Sequence, residues 1–99
     1  MVATDVVGYS RLMEADEQGT HRRLMGLRFD HMEPIVASFG GHVVKNTGDG
    51  FLAMFPDARS GLGASRDMQR AVAGAEAGIA EDRRIAFRMG INVADVIVE

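Results

Sequence analysis

Apolar positions along the chain alternate between two periods, and each change of period marks an element boundary. Residues 2–7 form a short β-branched run ending in Asp-Val-Val-Gly, which predicts a strand running into a turn. Ser10 is a candidate helix cap, with Leu12 and Met13 on the inner side and Glu14 in the first turn. Residues 16–19 interrupt that helix. From Thr20 a longer one follows, with Leu24, Leu27, His31 and Ile35 on one stripe and Met25, Met32, Val36 and Phe39 flanking it. Pro34 is expected to kink it, and Gly40-Gly41 to end it.

Residues 42–45 and 51–55 are two extended runs joined by Asn46-Thr47-Gly48-Asp49-Gly50, a hairpin signature. Pro56 and Asp57 open a further helix, with Ala58, Leu62, Ser65, Met68, Val72, Ala75 and Ile79 at helical spacing. Gly61, Gly63, Gly74 and Gly78 fall inside it, each costing about 1 kcal/mol relative to alanine, so this helix is expected to pack closely against a neighbour. Residues 81–84 are a charged connector. A strand is predicted over 85–93, where Ile85, Phe87, Met89 and Ile91 alternate, and another over 95–99.

This order predicts an α+β fold of the ferredoxin-like βαββαβ kind, an antiparallel sheet with helices on one face. In that topology the first strand lies antiparallel beside the third. Asp5, ending the first, is thereby delivered to the same sheet edge as Asp49, at the entrance to the third.

Composition narrows the chemistry. The 99 residues suffice for one compact domain, and a net charge of −3 disfavours a nucleic-acid partner. There is no cysteine, so disulfides and thiolate metal sites are excluded and a reducing cytoplasm is expected. No apolar run approaches the roughly 20 residues of a membrane span, and the opening residues are too soon acidic for a secretory signal. His21, His31 and His42 show no ligand spacing. The seven methionines are assigned to core or to a dimer face, and Arg22-Arg23 and Arg83-Arg84 to solvated surface.

Two neighbouring carboxylates repel one another unless a cation neutralises them. Oxygen ligands at a strand end, with room for water and phosphate oxygens, suit Mg²⁺ or Mn²⁺, and the Val6 backbone carbonyl is a candidate third oxygen. Val7-Gly8-Tyr9-Ser10 turns into a helix whose free N–H groups offer a phosphate seat. A metal pair beside such a seat suits in-line displacement at phosphorus. Each residue also has a plainer reading. Asp49 serves equally as a hairpin turn residue, Asp5 as a strand-end cap, Lys45 as an edge lysine against aggregation, and Tyr9 and Ser10 as helix staple and cap.

The stretch Thr4-Asp5-Val6-Val7-Gly8-Tyr9-Ser10-Arg11-Leu12-Met13-Glu14 resembles the first metal motif of bacterial class III adenylate and guanylate cyclases. Gly40-Gly41-His42-Val43-Val44-Lys45-Asn46-Thr47-Gly48-Asp49-Gly50 resembles their second metal hairpin, and residues 83–92 and 95–99 the strand pair that follows. The resemblance extends over essentially the whole chain. It implies that Asp5, Asp49 and the Val6 carbonyl hold two Mg²⁺ or Mn²⁺ ions. It further implies that Gly8, Tyr9 and Ser10 hold the triphosphate and that Lys45 reads the purine.

ATP, rather than GTP, is the implied substrate, in a head-to-tail homodimer whose partner supplies the lysine. The implied reaction is attack of the ribose 3′-oxygen on the α-phosphorus, expelling pyrophosphate. The family's purine-reading aspartate and its transition-state asparagine and arginine match no residue here, so they are expected beyond residue 99, and the isolated chain is expected to have little activity. The alternative is a non-catalytic cyclase-like module for dimerisation or nucleotide sensing. A diguanylate cyclase is disfavoured because Gly50, not an acidic residue, follows Asp49.

Overall fold

The first strand, β1 (Val2–Val6), buries alternate side chains, Val2, Thr4 and Val6, and turns Ala3 and Asp5 to the other face. That period of two places a carboxylate on the open face of an otherwise apolar strand. The computed structural model describes residues 1–91. After β1 come α1 (Tyr9–Ala15), α2 (Glu17–Gly26), a π-helical turn (Leu27–Met32) and α3 (Glu33–Ser38). Then follow β2 (His42–Asn46), β3 (Gly50–Met54), α4 (Ala58–Ala75), a 3₁₀ turn (Glu81–Arg83) and β4 (Phe87–Ile91). The sheet order is β2-β3-β1-β4 with every neighbouring pair antiparallel, the expected ferredoxin-like arrangement. The strand predicted over 95–99 lies outside the described residues.

The long helix departs from its predicted stripe, for a definable reason. Leu24 and Leu27 are buried as expected, but the next inward residues are Met32 and Val36, while His31 is exposed and Ile35 only half-buried. A π turn accommodates one extra residue, so the inward face moves on by one place from residue 27 to residue 32. Pro34 then sits in the first turn of α3, where its missing N–H costs least, so the break precedes it.

The N-terminal half of helix α4 turns small residues inward, whereas Gly74 near its end is exposed. Gly61, Ala64, Ser65, Met68 and Val72 are buried, whereas Leu62, predicted inside, is exposed. A side chain at Gly61 would press on Val2, and one at Gly63 would run into the Phe39 ring. Close packing thus accounts for Gly61 and Gly63, but a side chain at Gly74 or Gly78 would meet nothing within 4 Å, so it does not explain those two. The helix stops at Ala75, short of the predicted Ile79, and Ile85 is buried ahead of β4 rather than within it. Met32 and Met68 fill the core beside Phe51, Ile85 and Phe87.

Arg23 acts differently from its expected role, and Asp57 opens α4 as expected. Arg23 is tied at 2.7 Å to the buried Glu76 and donates to the Arg83 carbonyl, so it is not merely solvated surface. Glu76 also accepts the Ile85 N–H at 2.8 Å, pinning the entry to β4. Asp57 caps α4 by accepting the Ser60 N–H at 2.7 Å, and that bond holds its carboxyl below the ordinary aspartate value. The cap's stabilisation is therefore present above the unfolded-state pKa and disappears as pH falls through the lower folded-state one. Asp57→Ala should lower the melting temperature by a few degrees at neutral pH, and melts repeated in strong acid should show that difference vanishing.

Candidate functional site

Asp5 occupies the central strand at the point where three strands meet. Its backbone pairs with Gly50 of β3 on one side and with Arg88 of β4 on the other. One step further the Val6 N–H donates to the Asp49 carbonyl at 3.1 Å, carrying the ladder into the hairpin loop. The Val7 N–H donates to the Ala86 carbonyl at 2.8 Å, so the strand end is held from both sides. The backbones of Asp5 and Asp49 are thus brought side by side, as the topology predicted.

At residue 50 the two segments lie too close for a side chain to fit between them. A Cβ at Gly50 would overlap the Thr4 carbonyl oxygen and lie 3.0 Å from the Asp5 Cα. Next to it Thr4, buried on the helix side, receives the Phe51 N–H at 3.1 Å and donates its hydroxyl to the Phe51 carbonyl at 3.4 Å. The Thr47 N–H closes the loop by donating to the Gly50 carbonyl at 3.1 Å.

Arg88 is a member of this edge that sequence reasoning missed. Its Nε donates to Asp5 Oδ1 at 2.9 Å across the strand pair, with both side chains open to solvent. Alternation along β4 already put Arg88 on the face opposite Phe87, and only the β1–β4 register identified Asp5 as its partner.

The remaining predicted residues fall around this edge in different ways. Gly8 adopts φ 63°, a left-handed conformation that glycine tolerates, and leads directly into α1. Tyr9 begins α1 and packs partly on the core. Ser10 lies exposed within α1 and makes no cap, which corrects its expected role as the helix cap. The Arg11 side chain folds beside Gly8 and donates to the Asp82 carbonyl at 2.8 Å. Lys45 is exposed on β2, just past an irregularity between Val43 and Lys45, and makes no ion pair among the described residues. With the sheet order β2-β3-β1, it stands two strands away from Asp5.

The donor set can be tested against the implied ions. Among the described residues no group of three or more His, Cys, Asp or Glu side chains is placed to hold a metal. What the edge offers is two carboxylates and backbone carbonyls, all hard oxygen donors, which suits Mg²⁺ or Mn²⁺ sharing water and phosphate oxygens. A cavity of about 570 Å³ lies elsewhere, between α1, α2 and the α4–β4 connection, lined by Arg11, Arg23 and Arg83 among others. It contains none of the predicted metal residues.

Comparison with known proteins agrees with this architecture. No family model matches the chain. A Rhizobium meliloti (strain 1021) protein named "Putative adenylate cyclase 3" is 43% identical over all 99 residues, which span 17% of its length. The crystal structure of an adenylate/guanylate cyclase/hydrolase from Silicibacter pomeroyi superposes with a TM-score of 0.86 at 39% identity, over 99% of this chain and 57% of that one. A bacterial light-regulated adenylyl cyclase shares the fold, with a TM-score of 0.77 at 19% identity, over 90% of this chain and 49% of that one. No described helix is long and apolar enough to cross a membrane. With its ferredoxin-like sheet and these relatives, the chain belongs to the class III adenylate/guanylate cyclase family and spans part of the cyclase domain.

Proposed function

We propose that this chain forms the metal-binding half of a nucleotidyl cyclase domain that converts ATP to cyclic AMP and pyrophosphate. The observation that carries the reading is the β1–β3 register, which sets Asp5 opposite Gly50 and joins Val6 to Asp49. Asp5, Asp49 and the Val6 carbonyl would hold the Mg²⁺ or Mn²⁺ ions. Ions held there would supply Lewis-acid chemistry, lowering the pKa of an attacking hydroxyl and offsetting charge on phosphate oxygens.

The protein's own contribution is placement. Gly8, Tyr9 and Ser10, at the bend between β1 and α1, would seat the triphosphate, with backbone N–H groups facing its oxygens. Arg88 keeps a fixed positive charge beside Asp5 and so limits the net negative charge of the edge before a cation arrives. In the reaction the ribose 3′-oxygen forms a bond to the α-phosphorus as the bond to the β-phosphate bridging oxygen breaks, and pyrophosphate departs. Lys45, two strands from Asp5, is assigned to the purine of a site shared across a homodimer, its reach being to the partner's metal edge. The named adenylate cyclase relative supports ATP over GTP as substrate, and a cytoplasmic location fits that supply.

Incubating the whole cyclase domain that contains this chain with ATP and Mn²⁺ should release cyclic AMP and pyrophosphate in equal amounts. The 99-residue chain by itself should bind ATP only when metal is present and release little product. Metal-independent ATP binding, or ADP and phosphate as products, would sink the reading. Metal-dependent binding by the whole domain without any product would favour a nucleotide-sensing module instead.

A further inference from the structure

Arg28 lies in the π-helical turn, its side chain only 13% exposed, and it reaches out of the helical layer to the base of the hairpin. Its Nε donates to Glu33 Oε2 at 2.9 Å, while Nη2 donates to Asn46 Oδ1. The guanidinium carbon sits 5.6 Å from the centroid of the Phe51 ring and 5.1 Å from that of Phe29. Asn46 and Phe51 are cross-strand partners, the last pair of β2 and β3 before the loop that carries Asp49. One guanidinium therefore touches both halves of the final rung. From the neighbouring strand β1, the Thr4 hydroxyl grips the Phe51 backbone.

We infer that Arg28 is a positioning residue for Asp49, acting through Asn46 and Phe51; this rests on the reading of Asp49 as a metal ligand. A hairpin tip held only by its own ladder twists and frays readily. The tip here is braced from the helical layer by a planar cation whose charge Glu33 balances. Arginine is required for this because its fork donates in two directions while its face lies over a ring, whereas a lysine offers a single point charge. Outer groups that orient a metal ligand typically change metal affinity by about 10- to 100-fold when removed.

The test is a Mn²⁺ titration of the full chain, following loss of the free-ion electron paramagnetic resonance signal, with melting temperatures measured alongside. Asp49→Asn should abolish binding, Arg28→Met should weaken it about tenfold, and Arg28→Lys should fail to restore it. Asn46→Ala, which leaves the Arg28–Glu33 pair intact, should weaken it about threefold and add little to Arg28→Met. Loss of binding in Asp49→Asn with wild-type affinity in Arg28→Met would make Arg28 a structural brace only, and overturn the inference. If Arg28→Met does not fold, unchanged affinity in Asn46→Ala overturns it in the same way. Wild-type Mn²⁺ affinity in Asp49→Asn would defeat the metal reading itself, and this inference with it.

Discussion

Asp49→Asn is expected to lose Mn²⁺ binding and to lower cyclase turnover of the domain by about 100-fold or more, while leaving the fold intact. The amide has almost the shape of the carboxylate. The hairpin itself is held by contacts that do not involve that side chain: Val6 to the Asp49 carbonyl, Thr47 to Gly50, and Thr4 to Phe51. On the proposed reading, what disappears is one of the two carboxylates that would hold a divalent ion. At an effective dielectric of about 20, each unit charge at about 4 Å contributes roughly 4 kcal/mol per unit of cation charge, before the cost of desolvation. Asp5 alone, already engaged by Arg88, cannot replace it. The check is a Mn²⁺ isotherm beside a circular dichroism spectrum. A folded Asp49→Asn protein that binds and turns over normally would remove Asp49 from the site.

Gly50→Ala should produce the largest loss of stability from a single added methyl group. The new carbon would overlap the carbonyl of Thr4, in a central strand that β4 holds from its other side. Backbone cannot swing aside as a side chain can, so β1 and β3 must separate beside the aspartate pair. We expect a cost of about 3 kcal/mol or more, which for a domain of this size lowers the melting temperature by about 15 °C. Gly90→Ala is the matched control, because a Cβ at that β4 position meets nothing within 4 Å. It should be close to neutral. If the two variants melt together, the register of Asp5 against Gly50 is wrong, and the aspartate edge with it.

Much of this was legible in the residues, and the rest was hidden for identifiable reasons. Alternation and turn chemistry give every described strand and the hairpin, and the βαββαβ order brings Asp5 to Asp49, because that topology has few ways to pair its strands. The helix stripe was legible only as far as Leu27. Beyond it, sequence spacing assumes 3.6 residues per turn, and the π turn that moves the face to Met32 leaves no signal in composition. Ser10 has the chemistry of a cap but not the position, since Gly8 with its positive φ caps the helix two residues earlier.

The amino-acid sequence by itself determined which residue types stand at strand ends and hairpin tips, and so the hard-oxygen character of the candidate site. Those are local properties, set by side-chain period and by turn preference. Only the tertiary structure decided that Arg88 answers Asp5, that Thr4 and Gly50 clamp the approach of β3, and that Arg28 braces the hairpin from a helix. Such partners are separated by many residues in the chain and are chosen by register and packing. No spacing rule along the sequence encodes which distant backbone will arrive beside them.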